Sequence, residues 1–441
     1  MALIDFKVLP GIDKQDTASG AEFRWIDCDN TRFRYGLPEK VGGWSSLITD
    51  TIVGVARREF AFVDLDGNRY VAIGTDKFLL IYFEGQLYDI TPLKTTLTSA
   101  TLATTNTSAI CSITTGTNHN LSVGDIVLLD TVTLPVGTGY VDADFENKLF
   151  QVTSITSATV FTITQSTAAT ATVGTGGSLS VKPYEQVGPA EQSYGYGWGI
   201  DTWSSGKWGE AASASDVSLE PGLWSLSNFG QVLVATIANG KTFTWNAGDA
   251  ARLTTRASTA TSGFETTNNP TATRITLVSP TTRHLIHLGT ETTIGDPTTQ
   301  DDMFIRFSDQ EDINDYVPTA INSAGSQRLQ DGTRIIGALK AKESILVWTD
   351  NALYTMKFIG APFTFGFEQV GTNCGLIGKN AAIEIDGMAF WMSSNGFFMF
   401  DGTVKSLPCS VEDYVYDQAD TTKGQQVYAG INNLFTEVVW Y

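Results

Sequence analysis

Four carboxylates within seven residues form the densest acidic group of the chain. Asp309, Glu311, Asp312 and Asp315 lie in the segment Ser-Asp-Gln-Glu-Asp-Ile-Asn-Asp-Tyr that starts at Ser308. Paired carboxylates can cleave a glycosidic bond by acid–base catalysis, or they can hold calcium. The glycine that an EF-hand loop requires is missing, and nothing in the spacing sets a distance between the carboxyl groups. We therefore predict a solvated acidic loop, with a glycosidase site as the alternative.

Histidine chemistry has few candidates, because His119, His284 and His287 are the only histidines. His284 and His287 are spaced i, i+3, which in a strand points the two imidazoles to opposite faces and argues against a shared zinc ion. The four cysteines lie far apart without a Cys-x-x-Cys pair, as expected for unpaired thiols in a reducing compartment. The signatures of serine hydrolases, zinc metalloproteases and P-loop proteins are missing. We predict no enzyme activity, no catalytic residues, no metal and no cofactor.

A segment that alternates aromatic residues with glycine begins at Tyr194. Aromatic rings with little strand support can stack on sugars or bases, or they can pin a long loop against a neighbouring subunit. We favour the subunit interface, and sugar binding stays open as the alternative. The candidate interface residues are Tyr194, Tyr196, Trp198, Trp203 and Trp208.

The elements that must position these groups are β-hairpins, each an apolar strand, a short turn of Asp, Asn or Gly, and a second apolar strand. The pattern occurs five times, in the segments 70–83, 232–245, 285–307, 345–356 and 389–400. The hairpin at Trp348 repeats at Met392, an offset of 44 residues that is about the length of one four-stranded propeller blade. No long, capped helical period is present. The sequence predicts an all-β fold with a β-propeller of about six blades, and another large β-fold is the alternative.

The composition changes abruptly near residue 95. The stretches 95–124 and 149–181 contain no Asp, Glu, Lys or Arg and are rich in Thr, Ser and Ala. Strand-like segments in this region predict an inserted small β-barrel or β-sandwich, with low-complexity sequence as the alternative. The predicted division is 1–94 for the N-terminal segment and first blade, 95–182 for the inserted domain, and 183–441 for the remaining blades.

The charge balance bears on the kind of partner. The 441 residues carry 28 Lys and Arg against 47 Asp and Glu, a formal net charge of −19. Such a chain is a poor candidate for gripping nucleic acid through its phosphates. Residues 1–10 lack the basic and apolar regions of a signal peptide, and the densest apolar run, 78–83, is too short to span a membrane. Neither secretion nor membrane insertion is predicted.

Four blocks of the chain resemble, in order, the signatures of one protein family. They are Asn-Thr-Arg-Phe-Arg-Tyr-Gly-Leu-Pro-Glu-Lys-Val-Gly-Gly-Trp at 30–44, Trp-Ser-Leu-Ser-Asn-Phe-Gly with its following hairpin at 224–245, the acidic segment with Tyr-Val-Pro at 308–318, and the two hairpins of 334–402. The family is the tail-nozzle, or packaged-DNA stabilisation, family of short-tailed bacteriophages. The resemblance covers most of the chain except the insert at 95–182, whose role it leaves open.

This resemblance implies a ring-shaped homo-oligomer, a hexamer, that forms a nozzle at the distal end of the tail. The ring helps to retain the packaged genome, and double-stranded DNA passes through its lumen during ejection without specific binding. It also implies a tail adaptor protein and a tail fibre or spike as partners, and a place in the virion tail after assembly in the bacterial cytoplasm. The alternatives are a receptor-binding tail protein that recognises host surface glycans, and a propeller glycosidase that uses Asp309, Glu311 or Asp312.

In the first block, two arginines alternate with two aromatic residues, Arg32 and Arg34 with Phe33 and Tyr35. On a strand, this order puts guanidinium groups on one face and rings on the other. The arginines could pair with acidic residues across a subunit interface, but an ordinary two-sided strand is the favoured interpretation.

Overall fold

Strands make up nearly all of the regular structure in the computed structural model, which describes residues 8–46, 48–192, 220–259 and 268–441. Two small sheets come first: β1 (Leu9–Ile12) pairs with β2 (Arg24–Trp25), and β3 (Thr31–Arg34) pairs with β4 (Leu37–Lys40). All residues of β4 are exposed, so these sheets lack the double-sided burial of a propeller blade.

The first blade is a four-stranded antiparallel sheet: β5 (Ala56–Val63), β6 (Arg69–Thr75), β7 (Leu79–Phe83) and β8 (Gln86–Asp89). Strands β6 and β7 are apolar on both faces and almost wholly buried, as expected for a sheet packed between neighbours. A tight turn at Glu84 and Gly85 joins β7 to β8, and both residues have positive φ. Glycine accepts that conformation without strain.

A closed six-stranded barrel follows the first blade. Its strands are β9 (Leu97–Thr104), β10 (Ile110–Thr114), β11 (Ile126–Thr133), β12 (Lys148–Ser157), β13 (Val160–Thr164) and β14 (Val173–Pro183), in the order β10-β13-β12-β11-β14-β9. Alternate residues of β9 and β10 are buried, and the core contains Phe145, Phe161 and Leu129. The Lys94 backbone N–H donates to the Pro183 carbonyl at 2.8 Å. The barrel therefore leaves and rejoins the propeller at one point.

Four further sheets complete the propeller. The second blade contains β15 (Trp224–Phe229), β16 (Val232–Ile237) and β17 (Thr242–Asn246), and the third contains β18 (Thr273–Val278), β19 (Leu285–Thr290), β20 (Phe304–Phe307) and β21 (Gly325–Arg328). The fourth contains β22 (Ile335–Lys340), β23 (Ile345–Thr349), β24 (Ala352–Gly360) and β25 (Thr364–Thr372), and the fifth contains β26 (Ala382–Ile385), β27 (Met388–Ser393), β28 (Gly396–Phe400) and β29 (Val404–Leu407). A short helix, α1 (Glu412–Gln418), and the hairpin β30 (Ala429–Asn432) with β31 (Glu437–Trp440) follow.

The helical content is small. Besides α1, the described residues contain short 3-10 helices at Asp142–Asp144, Pro297–Thr299 and Thr421–Gln426. No helix among the described residues has both the length and the apolar character needed to cross a membrane. All four cysteines are unpaired; Cys111 and Cys374 are buried, and Cys28 and Cys409 are half-buried.

Tryptophan side chains lock neighbouring blades together. The Trp224 indole N–H of the second blade donates to the Thr75 carbonyl of the first blade at 3.0 Å. The rings of Trp348 and Trp391 meet at 5.4 Å between the fourth and fifth blades, and both are fully buried. A buried indole supplies a large apolar area and still needs a partner for its N–H. Trp224 belongs to the apolar cluster of the first and second blades, and Trp348 and Trp391 belong to that of the fourth and fifth.

The prediction of an all-β propeller with a small inserted barrel is confirmed, but the blade number is corrected from about six to five among the described residues. Each of the five predicted hairpins contains the second and third strands of one blade. The N-terminal strands add no blade, because they are short and largely exposed. The circle closes between the fifth and first blades, where Arg58 donates to Asn380 at 3.2 Å.

Candidate functional site

The predicted aromatic interface lies outside the described residues. Tyr194, Tyr196, Trp198, Trp203 and Trp208 all fall between 192 and 220, where the description stops and resumes. The Gly222 backbone N–H donates to the Pro189 carbonyl at 2.8 Å, so the two flanks of this segment lie side by side. The assignment of these aromatic residues to a subunit interface stays a prediction.

The predicted acidic loop connects β20 to β21, and its carboxylates each have a separate partner. Asp309 accepts from the Ser323 backbone N–H at 2.8 Å, Asp312 from that of Asn314 at 2.8 Å and Asp315 from the Asn322 amide at 2.8 Å, while Glu311 pairs with Arg283 at 2.8 Å. Burial would raise the pKa of Asp309, but the Ser323 hydrogen bonds keep it below its ordinary value. These bonds hold the loop in shape.

The two neighbouring histidines face different surroundings, as their spacing predicts. The His284 Nε2 lies 3.0 Å from the Ser323 hydroxyl, and that of His287 lies 3.0 Å from the Tyr316 hydroxyl. Burial, helped by the nearby Arg306 charge, lowers the pKa of His287 to about 3. Among the described residues, no group of three or more His, Cys, Asp or Glu side chains is arranged to hold a metal ion.

The strongest concentration of unusual chemistry lies on the propeller axis. The first strands of successive blades pack side by side around a cavity of about 170 Å³. Its polar lining contains Arg58 from the first blade, Ser225 and Ser227 from the second, Thr276 from the third, Lys340 from the fourth, and Lys379 and Asn380 from the entrance to the fifth. All five blades therefore contribute to one site, which we call the axial cavity.

Hydrogen bonds across the axis show how closely these groups converge. The Lys340 ammonium donates to the Ser227 hydroxyl at 2.9 Å, which joins the fourth blade to the second. The Lys379 ammonium reaches the Arg274 carbonyl at 3.5 Å, which joins the fifth blade to the third. Each bond passes over an intervening blade, a reach that is possible only near the centre of the ring.

The axial cavity is cationic. No Asp or Glu occurs among the described residues that line it, and in the described chain Arg58, Lys340 and Lys379 have no carboxylate within ion-pair distance. Burial, together with the Arg58 charge, lowers the pKa of Lys340 to about 8. Burial, together with Arg58 and Arg274, lowers the pKa of Lys379 to about 7. Both ammonium groups are thus destabilised by their surroundings.

The carboxylate that acts on Lys379 is Glu220, and it is already engaged. Glu220 accepts from Arg274 with both oxygens at 2.8 Å and from Arg334 at 2.6 Å. Burial would raise the pKa of Glu220, but these arginines lower it, so the carboxylate stays ionised. Glu220 attracts Lys379 without forming an ion pair with it, and this single negative charge offsets only part of the positive charge around the axis.

The first resemblance block forms the β3–β4 hairpin and leans on the hairpin of β30 and β31. The Arg32 guanidinium lies 3.4 Å from the centre of the Phe435 ring and 3.6 Å from Glu437. Arg32 therefore finds its acidic partner within the same chain. The block also exposes three large apolar side chains: Tyr35 is 90% exposed, Leu37 69% and Trp44 85%.

The axial cations are absent from the predicted site residues. Arg58 lies in β5, Lys340 ends β22 and Lys379 comes shortly before β26, so a basic residue sits at or near the first strand of three blades. That recurrence in a strongly acidic chain is the signal in the sequence. It becomes informative only when the first strand of each blade is known to face the axis.

Of the known proteins compared with this chain, only solved structures resemble it. No protein-family model matches the chain, and no curated protein matches it. Phage phi92 endosialidase is 14% identical at a TM-score of 0.26, covering 80% of this chain and 55% of that one. Apo AztD from Citrobacter koseri is 11% identical at 0.32, covering 76% and 68%. The extracellular domain of a hybrid two-component system from B. thetaiotaomicron is 14% identical at 0.26, covering 81% and 34%.

The chain thus spans about half the length of the endosialidase. All three identities are below 15%, and at these TM-scores the likenesses say nothing about function.

Proposed function

We propose that this chain is a non-enzymatic structural subunit of a bacteriophage tail. It forms a ring-shaped nozzle at the distal end of the DNA conduit, helps to retain the packaged genome and passes it during ejection. The observation that carries the proposal is that the four resemblance blocks fall on whole structural units in chain order. They fall on the β3–β4 hairpin, the three strands of the second blade, the loop after β20, and the four strands of the fourth blade with the first three strands of the fifth.

The exposed face of the β3–β4 hairpin supports ring formation. Tyr35, Leu37 and Trp44 present large apolar side chains to solvent on the block that resembles the first signature of the phage family. Aromatic and aliphatic groups of this kind are typical of the core of a subunit interface. In the proposed hexamer, each hairpin packs on the neighbouring subunit, and the assembled ring meets the tail adaptor protein and a fibre or spike in the virion.

DNA would pass through the lumen between subunits and not through the propeller itself. The axial cavity has a volume of only about 170 Å³. A DNA duplex cannot fit in it, because even its major groove is about 12 Å wide. A formal net charge of −19 suits a ring whose lumen must not bind a moving polyanion.

The test is native mass spectrometry with negative-stain imaging of the purified chain, alone and with the tail adaptor protein. We expect a closed ring with a central hole at least about 20 Å across, wide enough to admit a DNA duplex. Leu37→Asp should leave monomers, because a charge would be buried in the interface. The control is Ile321→Asp, which changes an even more exposed apolar residue on the third blade. Monomers under both conditions, or rings unaffected by Leu37→Asp, would contradict the proposal.

A glycan array separates the nozzle from receptor recognition. If the isolated chain binds host surface glycans and loses that binding in Trp198→Ala and Trp203→Ala, the receptor-binding alternative replaces the nozzle. If these variants leave the array silent but reduce ring formation, the aromatic segment belongs to the subunit interface.

A further inference from the structure

The axial cavity combines features that an acidic structural protein has no evident need for. Three cationic side chains from three blades meet in a small, partly enclosed space on the axis. In the described chain, none of them has an ion-pair partner. All three residues are half-buried, and charges that are partly withdrawn from water are normally paired, because an unpaired ion loses hydration without compensation. The described residues therefore supply no counter-charge for these three cations.

The donor set is directed at a common space. The Arg58 guanidinium uses one nitrogen to bind Asn380 at 3.2 Å, which leaves further N–H groups for a ligand. Lys340 donates one hydrogen bond to Ser227 of the cavity wall and Lys379 donates one to the Arg274 carbonyl, out of three that each ammonium can make. Ser225 is 3% exposed, lines the same cavity, and its hydroxyl has no hydrogen-bond partner among the described residues. A buried hydroxyl of this kind normally has a partner.

We propose that the axial cavity is a binding site for a compact oxyanion of the phosphate class, held by Arg58, Lys340 and Lys379 with Ser225 as a neutral donor. The site stands independently of the proposed tail function, because its ligand is a small ion and its residues lie within one chain.

Size and charge both favour a phosphate-class ion. A cavity of about 170 Å³ holds a few groups of the size of water, each of which occupies about 30 Å³ in the liquid. A dianion offsets most of the charge of three cations, and its oxygens match the planar fork of a guanidinium and the point charges of two ammonium groups. A monocarboxylate would leave more of the positive charge uncompensated.

The same phosphate could be a free ion or part of a nucleotide. A second cavity, of about 190 Å³, shares Arg58 and Asn380 with the axial cavity and is lined on its far side by Gln425 and Tyr428. A nucleotide would have to place its sugar or base there. We assign the site to the free ion, since the cationic groups lie in the axial cavity.

Binding should depend on pH through the two lysines. The groups that act on Lys379 are Arg58 and Arg274, which lower its pKa with burial, and Glu220, which raises it. Arg58 acts on Lys340. Both lysines lose protons near pH 7 to 8. Because a bound anion favours their charged forms, the lysines take up protons as the anion binds. For an anion whose own charge does not change over this range, such as sulfate, affinity should be highest below pH 7 and should fall as the pH rises to 9.

The experiment is isothermal titration calorimetry of the full chain, first dialysed into chloride at constant ionic strength. Sodium phosphate at pH 7.5, where its dianion predominates, is the main probe, and sulfate serves for the comparison of pH 6.5 with pH 9 because its charge is constant over that range. We expect saturable binding of one ion per chain. Lys340→Met and Lys379→Met should each weaken it at least about tenfold. Lys342→Met, which removes an exposed lysine two residues from Lys340, should leave it unchanged.

Several outcomes would overturn the proposal: no saturable binding by the wild type, equal losses in Lys342→Met, or binding retained in both cavity variants. Lys340→Arg keeps the charge and should retain affinity within about threefold, which separates loss of charge from a folding defect. Titration with adenosine monophosphate tests whether the site binds a free ion or a nucleotide. Its exclusion supports the free ion, whereas binding tighter than that of phosphate, still lost in Lys379→Met, would move the assignment to a nucleotide and overturn the free-ion assignment.

Discussion

Replacing Lys379 with methionine should stabilise the propeller in a buffer that contains chloride as its only anion. The variant keeps an apolar stem of similar length and removes a charge that burial and two arginines disfavour. Lowering a lysine pKa from 10.5 to about 7 corresponds to a ceiling of about 5 kcal/mol. Lys379 is half-buried, so solvent screening reduces the expected gain at pH 7 to about 1–2 kcal/mol.

The pH dependence carries the sharper form of the prediction. Above pH 7 the native chain has begun to lose the Lys379 proton, while the unfolded chain keeps it up to about pH 10.5. The unfolded state then binds more protons, so wild-type stability should rise between pH 7 and pH 9. Lys379→Met should show a smaller rise, although Lys340 still contributes in the same direction. The window ends at pH 9 because burial raises the pKa of the Cys374 thiol to about 11, which opposes the rise in stability at higher pH.

Tryptophan fluorescence during urea unfolding is the appropriate assay, because the barrel at 97–183 contains no tryptophan and the signal reports other parts of the chain. Lys342→Met is the matched control for removal of a lysine. If Lys379→Met is less stable than the wild type at pH 7, or if the two proteins gain equally between pH 7 and pH 9, the ammonium is not under the electrostatic stress described above. Added phosphate should stabilise the wild type more than the variant.

Three further outcomes follow from the structure. Glu220→Gln should destabilise the chain by about 1.5–3 kcal/mol in urea unfolding, because the buried Arg274 loses its closer charged partner and keeps only the ion pair with Asp302 at 3.4 Å; a loss below about 1 kcal/mol would show that solvent replaces that carboxylate. His287 stays neutral while unfolded histidine protonates below pH 6.5, so wild-type stability should fall between pH 6.5 and pH 4.5 and His287→Leu should fall less; equal slopes would contradict this. Residues 95–183 expressed alone should give a cooperative far-ultraviolet circular dichroism melt, because the closed barrel has its own core; a featureless melt would show that the barrel depends on the propeller.

The blades were predictable because their signals are local. A turn of Asp, Asn or Gly between two strands that are apolar on both faces specifies a buried hairpin within about fifteen residues. Residues 389–400 show this directly, since β27 and β28 pair across the turn at Gly396. The blade number was not predictable in the same way. The ring closes where Arg58 contacts Asn380, 322 residues further along the chain. No local sequence signal indicates which two blades meet there.

The same difference between local and long-range signals determines which site residues could be predicted. The acidic loop was visible because its carboxylates are adjacent in sequence, yet its partners Arg283 and Ser323 lie outside the cluster. The axial cations had the opposite difficulty. Arg58, Lys340 and Lys379 are ordinary isolated basic residues in the sequence, and only the blade arrangement places them around one cavity.

The acidic surface and the cationic axis can coexist because electrostatic influence is short-ranged in salt. At physiological ionic strength the screening length is about 8 Å, so distant surface carboxylates do little to neutralise the axis. The axis responds mainly to the groups beside it, and those groups come from blades that are joined by non-covalent contacts such as Arg58 with Asn380. An anion that binds Arg58, Lys340 and Lys379 together would cross-link the first, fourth and fifth blades where the circle closes. Its binding free energy would then add directly to the stability of the closed propeller.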